Sequence, residues 1–360
     1  PWLQELPDPV SKIVWDNYAS VSPNYAHAQH LKEGQVVELT VGENTLKLPV
    51  HIQPGLNDKT VAVAVGYGRE GADKVANKVG QRAATLANYV NGATVYSSLP
   101  VKLKLTKKHM DLVTPQGHHS MEGRQIVVEA TLDQYKKDPA ANIHKHKVFS
   151  LWSKHEYSGY RWAMAVDLNA CNGCGACVTA CQSENNIPTV GKKYVMEGRI
   201  MHWIRVDRYY AGNPDNPAVL NMPVMCQHCE NAPCETVCPV NATVHGDEGT
   251  NDMIYNRCVG TRYCANNCPY KVRRFNWFNY VKNIQEPQQL ALNPEVTVRD
   301  RGVMEKCTFC THRIKDAKMK AQRENRGLSE GDVVTACQQS CPTDAIVFGN
   351  INDANSKVSQ

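Results

Sequence analysis

Short stretches of alternating apolar and polar residues dominate the first part of the chain. Val36–Val41 and Leu46–Val50 alternate in this way on the two sides of a turn at residues 42–44. Successive side chains of a strand point to opposite faces, so the pattern predicts a hairpin with one buried face. Thr60–Val65 is mainly apolar and predicts another strand. We expect a small β-rich module here, and we expect it to be barrel-like.

The stretches that follow predict less regular structure. Residues 66–92 contain several Gly and Asn and indicate a loop with a short helix, whereas residues 95–105 return to strand character. Residues 131–147 are polar and indicate a linker. The expected domains are therefore 1–147 and 148–360.

The second predicted domain has short elements between groups of cysteines. Residues 201–206 (MHWIRV) and 345–348 (AIVF) are β-prone. Residues 312–326 are rich in long charged side chains and Ala, and they predict a helix that ends at Gly327. The expected fold class is α+β, with small sheets and short helices around inorganic cores.

Composition and charge exclude some classes of function. The chain has 40 Lys and Arg against 35 Asp and Glu, a bias too small to predict binding to nucleic acid. No apolar run approaches the roughly 18 residues of a membrane-spanning helix, so we expect a soluble or peripheral protein. The sequence begins Pro-Trp-Leu without an initiator Met, and we expect it to be part of a longer chain. No acid–base or nucleophilic site is evident.

All 15 cysteines lie between Cys171 and Cys341, in four groups. Three groups have four members and one has three, because Thr261 stands where the spacing of the third group asks for a cysteine. The groups are Cys171, Cys174, Cys177 and Cys181; Cys226, Cys229, Cys234 and Cys238; Cys258, Cys264 and Cys268; and Cys307, Cys310, Cys337 and Cys341.

The spacing of these groups is typical of iron–sulfur proteins. The first group is C-x2-C-x2-C-x3-C, in which three thiolates bind one cubane and the fourth reaches another cluster. Prolines 239, 269 and 342 directly follow the last cysteine of the other groups and help to direct the chain away. Zinc bound by four cysteines is the alternative, although four successive groups of this kind argue against it. The sequence does not continue any pair as C-x-x-C-H, so covalent haem is not predicted.

Thr261 gives the third group a specific prediction. A threonine hydroxyl is a poor ligand for a soft iron–sulfide corner, so that corner is expected to lose its iron and leave a [3Fe–4S] cluster. The alternative is a [4Fe–4S] cluster whose odd iron binds water or Thr261. The expected cofactors are thus three [4Fe–4S] clusters and one [3Fe–4S] cluster.

The motifs CNGCGACVTACQSENNIP, CQHCENAPCETVCPVNAT and CPTDAIVFG resemble those of the four-cluster electron-transfer subunits of molybdopterin oxidoreductases. The resemblance covers roughly residues 160–350 and implies a double dicluster ferredoxin-like domain. It also implies that the groups exchange ligands. The implied [4Fe–4S] sets are Cys171, Cys174, Cys177 and Cys341; Cys307, Cys310, Cys337 and Cys181; and Cys226, Cys229, Cys234 and Cys268, which leaves Cys258, Cys264 and Cys238 for the [3Fe–4S] cluster.

A narrower resemblance covers the front half as well. PVHIQPGLNDKTVAVAVGYGR is similar to the end of a molybdopterin-oxidoreductase-like domain, here fused to the cluster domain. With Thr261 and the insert before Cys307, this fusion resembles the iron–sulfur subunits of alternative complex III. The resemblance implies no bound molybdopterin, and partners that include a membrane quinol-binding subunit and c-type cytochrome subunits. It places the chain peripherally on the periplasmic side of the inner membrane, with the [3Fe–4S] cluster nearest the quinol.

Two other functions stay open at this point. The chain could be the fused electron-transfer part of an active molybdenum reductase, or a scaffold held by zinc. One further segment needs interpretation, because Lys271, Arg273 and Arg274 interleave with aromatic residues. We interpret it as a packed strand with solvated charges, and hypothesise that it docks on the membrane subunit.

Overall fold

The computed structural model describes residues 1–71, 75–144, 147–282 and 284–360. Residues 72–74 of the predicted loop at 66–92, and residues 145 and 146 of the predicted linker, lie outside the described residues, as does residue 283. The chain divides into two compact units. Unit 1 is formed by residues 1–117, 188–201 and 210–219, and unit 2 by residues 118–187, 202–209 and 220–360. Every cysteine lies in unit 2. The predicted boundary between residues 147 and 148 separates two domains of different evolutionary origin. It stays a prediction.

The strands are short throughout. In chain order they are β1 (Ala19–Val21), β2 (Gln35–Val41), β3 (Asn44–Ile52), β4 (Ala62–Val63), β5 (Asn88–Val90), β6 (Ala93–Val95), β7 (Lys102–His109), β8 (Trp162–Val166), β9 (Arg205–Ala211), β10 (Ala218–Val224), β11 (Thr243–His245), β12 (Asn251–Met253), β13 (Arg274–Phe275), β14 (Met304–Glu305) and β15 (Ile346–Asn350).

The α-helices of the described residues are short as well. They are α1 (Trp2–Glu5), α2 (Pro23–Ala28), α3 (Leu132–Lys137), α4 (Ala176–Glu184), α5 (Lys192–Met196), α6 (Pro233–Thr236), α7 (Tyr263–Asn267), α8 (Thr311–Arg323) and α9 (Ala336–Gln339). Single 3₁₀ turns occur at Ala83–Leu86, Tyr255–Arg257 and Gln288–Ala291.

Unit 1 is built on a five-stranded sheet in the order β4-β1-β3-β2-β7. The predicted hairpin forms as β2 and β3, and its register pairs Val37 with Leu48 and Leu39 with Leu46. Val37, Leu39 and Leu48 are buried in the core of the unit, as the alternation predicts. The strand predicted at residues 60–65 shortens to β4.

The expected barrel-like fold is wrong. The sheet is open in the described part of the chain, with β4 and β7 at its edges. Strand β4 has only two residues, so it offers little to pair with. Strand β7 presents Lys102, Lys104, Lys107 and Lys108 to solvent, and exposed lysines on an edge strand oppose further pairing.

Unit 2 has the predicted α+β character, with two-stranded sheets and short helices. The predicted strand at 345–348 forms as β15, which pairs antiparallel with β8. The predicted helix forms as α8, and it buries Ile314, Ala317 and Ala321 on one face. Ile314 and Ala317 pack in one apolar cluster with Trp162, Phe309 and Phe348. Ala321 is buried as well.

Two other predictions need correction. The linker expected at 131–147 contains α3, whose first turn is stabilised by a capping box between Thr131 and Gln134. The strand expected at 201–206 begins only at Arg205, although Met201–Ile204 is buried. A short apolar run indicates burial more reliably than it indicates a strand. Among the described residues, no helix combines the length and the apolar character that crossing a bilayer requires.

Shortening Leu39 should destabilise unit 1 without affecting the iron content. Leu39 is only 1% exposed, so Leu39→Ala leaves a cavity and should lower the free energy of unfolding by about 2–5 kcal/mol. Denaturant unfolding measures this loss. Leu105→Ala is the control, because Leu105 is 40% exposed in the same sheet and should cost about 0.5 kcal/mol. An equal cost for both variants, or iron lost only from Leu39→Ala, would contradict this assignment of the core.

Candidate metal centres

The pairing of β8 with β15 brings the two ends of unit 2 together. Val166 at the end of β8 lies opposite Ile346 at the start of β15. The first cysteine group begins five residues after Val166, and Cys341 lies five residues before Ile346. These four thiols line one cavity, here called cavity A: Cys171, Cys174, Cys177 and Cys341.

A glycine shapes the loop that supplies the first thiols of cavity A. Gly173 has φ of +73°, a conformation that favours glycine. A Cβ atom there would lie 2.5 Å from the Asn221 amide oxygen, so the loop needs glycine for space as well. The loop ends at Gly175, which is also left-handed and precedes α4.

A second cavity, cavity B, has thiols from three distant segments. Helix α4 supplies Cys181, four residues after Cys177, and α9 supplies Cys337. Cys307 and Cys310 complete the set from the turn that starts α8. Most of the remaining wall is apolar and includes Met164, Trp203, Ile204, Met225 and Phe309.

A third cavity, cavity C, is lined by Cys226, Cys229, Cys234 and Cys268. The fourth thiol again comes from another group, since Cys268 ends the third group. Helices α6 and α7 pack against each other and bear Cys234 and Cys264. Arg273 and Val272 also line this cavity.

The remaining three cysteines, Cys238, Cys258 and Cys264, form the three-cysteine site. They lie in one apolar cluster that includes Met253 and Met304. Backbone N–H groups of Ala242 and Met304 donate to the sulfurs of Cys238 and Cys258, at 3.2 and 3.4 Å. Thr261 lies on the loop between Cys258 and Cys264, and its side chain is exposed.

Burial makes several of these thiols difficult to ionise on their own. It raises the pKa of Cys177 to about 12 and of Cys310 to about 11. It also raises the pKa of Cys181 and Cys307. A thiolate in so apolar a site needs positive charge beside it, as iron supplies.

Two cysteines followed by proline differ from the rest. Burial opposes ionisation of Cys238 and Cys341, yet the pKa of both is lowered by backbone N–H groups that come just after the proline. The donors are Val240, Ala242 and Thr243 for Cys238, and Thr343, Ala345 and Ile346 for Cys341. The Cys-Pro turn therefore folds the backbone amides around the sulfur.

Two buried cations lie among the thiols, and the cysteine spacing does not predict them. Lys306 is completely buried and donates to the backbone oxygens of Asn251 and Cys307. Arg273 is only 6% exposed, so the interpretation of its charge as solvated is wrong: packing encloses it. Arg274 donates to the backbone oxygen of His202 and is partly buried. The one sequence feature that could have indicated a buried cation is that Lys306 directly precedes Cys307.

The arrangement of thiols fits polynuclear clusters better than single ions. Zinc draws four thiolates to about 2.3 Å from one point. Within the described ranges, no three His, Cys, Asp or Glu side chains converge closely enough to hold one metal ion. The thiols instead line common cavities in sets of four, as a cluster bound by four thiolates requires. The Nε–H group of Arg273, which is buried without an acceptor in the described structure, fits a site where an inorganic sulfide would accept it.

Comparison with known proteins agrees with this chemistry. Residues 218–285 and 257–345 each match a 4Fe–4S dicluster domain, and residues 162–183 match a 4Fe–4S binding domain. The iron–sulfur cluster-binding subunit of menaquinone reductase from Nitratidesulfovibrio vulgaris is 43% identical, over 55% of this chain and 78% of that protein. The chain belongs to the family of iron–sulfur electron-transfer subunits of quinol and molybdopterin oxidoreductases.

Two further relatives support this membership of the electron-transfer family. The Hdr-like menaquinol oxidoreductase iron–sulfur subunit 1 of Archaeoglobus fulgidus is 35% identical over 56% of this chain and 74% of that protein. A putative dimethyl sulfoxide reductase iron–sulfur subunit from Halobacterium salinarum is 37% identical, over 55% and 70%. The wider resemblance inferred from the cysteine motifs is thus confirmed, as is electron transfer through 4Fe–4S domains.

Gly173→Ala should lower the iron content of the purified protein. An alanine there would meet the Asn221 side chain and would adopt a left-handed conformation that costs about 1–2 kcal/mol. Both effects distort the loop of Cys171 and Cys174, so iron and sulfide per chain should fall. Gly198→Ala is the matched control, because Gly198 has φ of +72° but no neighbouring atom within 4 Å. Equal iron in both variants would show that iron binding does not depend on the close approach of Gly173 to the Asn221 side chain.

Proposed function

We propose that this electron-transfer subunit holds three [4Fe–4S] clusters in cavities A, B and C. The observation that supports the proposal is that each cavity is lined by four thiols, with the last thiol of one group in the cavity of another. The proposed ligands are those implied by the resemblance. Bound clusters would supply one-electron chemistry, while the chain fixes their positions and keeps water away.

We further propose that the three-cysteine site holds a [3Fe–4S] cluster. Its three thiols share one apolar cluster, and two of them accept backbone hydrogen bonds. Thr261 replaces the fourth thiol and turns to solvent, so no soft ligand is available on that loop. A water-bound fourth iron is the alternative, and spin quantification distinguishes the two.

The proposed partners follow from the relatives and from the surface of unit 2. The names of two relatives refer to menaquinone or menaquinol. We infer that electrons enter from a membrane quinol-binding subunit and leave toward c-type cytochrome subunits, in a complex of the alternative complex III type. Exposed Val259 and Tyr263 flank Thr261 and offer an apolar contact for the membrane subunit. The proposed location is the periplasmic face of the inner membrane, and no molybdopterin is expected.

The observation that favours a second candidate is the likeness to a dimethyl sulfoxide reductase subunit. In that case the chain would serve an active molybdenum site. Molybdenum in the purified full-length protein separates the two candidates, because a stoichiometric amount supports the reductase and its absence supports the quinol complex.

Air-oxidised protein should show the electron paramagnetic resonance signal of one [3Fe–4S] cluster. Such a cluster is paramagnetic when oxidised, whereas oxidised [4Fe–4S] cubanes are silent. Spin quantification should give close to one spin per chain, alongside about 15 iron atoms from the four clusters. Iron and sulfide at this level without a spin would refute the three-iron assignment, and zinc in place of iron would refute the electron-transfer proposal.

Thr261→Cys should convert the three-cysteine site into a [4Fe–4S] site. A thiolate at this corner can hold a fourth iron, so the oxidised signal should disappear, the cluster potential should fall and quinol oxidation should slow. Thr261→Ser is the control, because it keeps the hydroxyl and should keep the signal. Persistence of the oxidised signal in Thr261→Cys, with unchanged iron, would place the vacant corner elsewhere.

A further inference from the structure

Among the described residues, Arg273 is the one side chain that combines a buried charge, a place in the wall of cavity C and an effect on the three-cysteine site. It lies five residues after Cys268 and directly before β13. The guanidinium lines cavity C, and its Nη1 donates to the sulfur of Cys234 at 3.3 Å. Its Nη2 contacts the sulfur of Met253, which packs in the same apolar cluster as Cys264 of the three-cysteine site, and the charge interacts favourably with that thiol. Arg273 therefore faces both sites.

Neutral groups hold the Arg273 side chain in place. Nη1 donates to the Asn251 amide oxygen at 3.2 Å, and Nη2 donates to the Thr243 hydroxyl at 2.6 Å and contacts the Met253 sulfur at 3.2 Å. In the part of the chain that the structure describes, no carboxylate forms an ion pair with Arg273. Lys306 also contacts Asn251, through a backbone oxygen.

A buried charge without a paired carboxylate is expensive unless another negative group compensates for it. The thiols do so: although burial opposes the charge, Cys264 and Cys234 hold the pKa of Arg273 above its usual range. The Nε–H group remains buried without an acceptor among the described residues. Clusters bound at the two sites would add the negative charge, and a sulfide of one of them would supply the missing acceptor.

We propose that the charge of Arg273 raises the reduction potentials of two clusters together, that of cavity C and that of the three-cysteine site. The inference rests on the proposed function. A fixed positive charge in a medium of low dielectric constant favours the reduced state, which has one more negative charge. Because one guanidinium acts on both sites, the two potentials cannot be adjusted independently through this residue.

The test is a redox titration of Arg273→Gln followed by electron paramagnetic resonance, with each cluster read separately. Glutamine keeps hydrogen-bonding capacity and removes the charge. At a fixed ambient potential, the ratio of reduced to oxidised cluster should fall at least tenfold for these two clusters, which is a shift of about 59 mV for one electron. The clusters of cavities A and B should shift by much less.

Lys271→Gln is the matched control. It removes the same charge from the same segment, but Lys271 is exposed and water screens it, so all four potentials should stay unchanged. An Arg273→Gln protein with all its iron and no shift, or with the same shift in all four clusters, would overturn the proposal.

Arg273→Lys covers the case in which the glutamine variant loses its iron. Lysine keeps the charge, so the proposal expects this variant to retain its iron, with less than a tenfold change in either ratio. Loss of iron here too, or a shift as large as tenfold, would overturn the proposal, since charge would then not be the property that matters. Failure of the function itself would look different, because the unaltered protein would lack the cluster signals.

Discussion

The central constraint on unit 2 is that no cysteine group can complete its own site. Cavity A needs Cys341 beside the first group, and cavity B needs Cys181 beside the last. The same exchange links Cys268 to cavity C. The pairing of β8 with β15 achieves the first exchange, across more than 160 residues of chain. Bringing such distant segments together costs conformational entropy, which the apolar packing around β8 and β15 offsets in part and bound clusters would offset further. Folding of this unit and assembly of its clusters are therefore expected to be one process.

Charge compensation explains why the sites are built from so few polar groups. Thiols in apolar walls resist ionisation, and burial of Arg273 opposes its charge as well. The thiolates and the buried cation stabilise each other's charge. Backbone amides after the Cys-Pro turns stabilise the thiolates of Cys238 and Cys341 as well. The only buried carboxylate–guanidinium pair in this region of the described structure, Arg299 with Glu305 at 2.9 Å, is satisfied internally. Arg273 differs from Arg299 in this respect, because its guanidinium donates to a thiol and forms no ion pair with a carboxylate among the described residues.

Local patterns in the sequence predicted the elements that depend on local physics. The β2–β3 hairpin follows from alternation and α8 from its charged, Ala-rich composition, whereas the sets of thiols that the cavities bring together were implied by the family resemblance of the cysteine motifs. Whether the sheet of unit 1 closes into a barrel could not be predicted, because closure depends on whether edge strands such as β7 pair with another strand. The place of Arg273 could not be predicted either. An arginine in a polar-aromatic segment is usually solvated, and only tertiary packing shows that its neighbours here are Thr243, Asn251 and Cys234.

Helix α4 has a consequence for the rate of electron transfer. Cys177 lines cavity A and Cys181 lines cavity B, four residues apart on the same helix. A rise of 1.5 Å per residue separates their Cα atoms by about 6 Å along the axis. Tunnelling rates fall steeply with distance. A rigid helical turn that keeps the two sites at a constant separation therefore also keeps the distance dependence of the rate constant. Thermal motion elsewhere in the chain can then change the driving force between these sites, but not the width of the barrier.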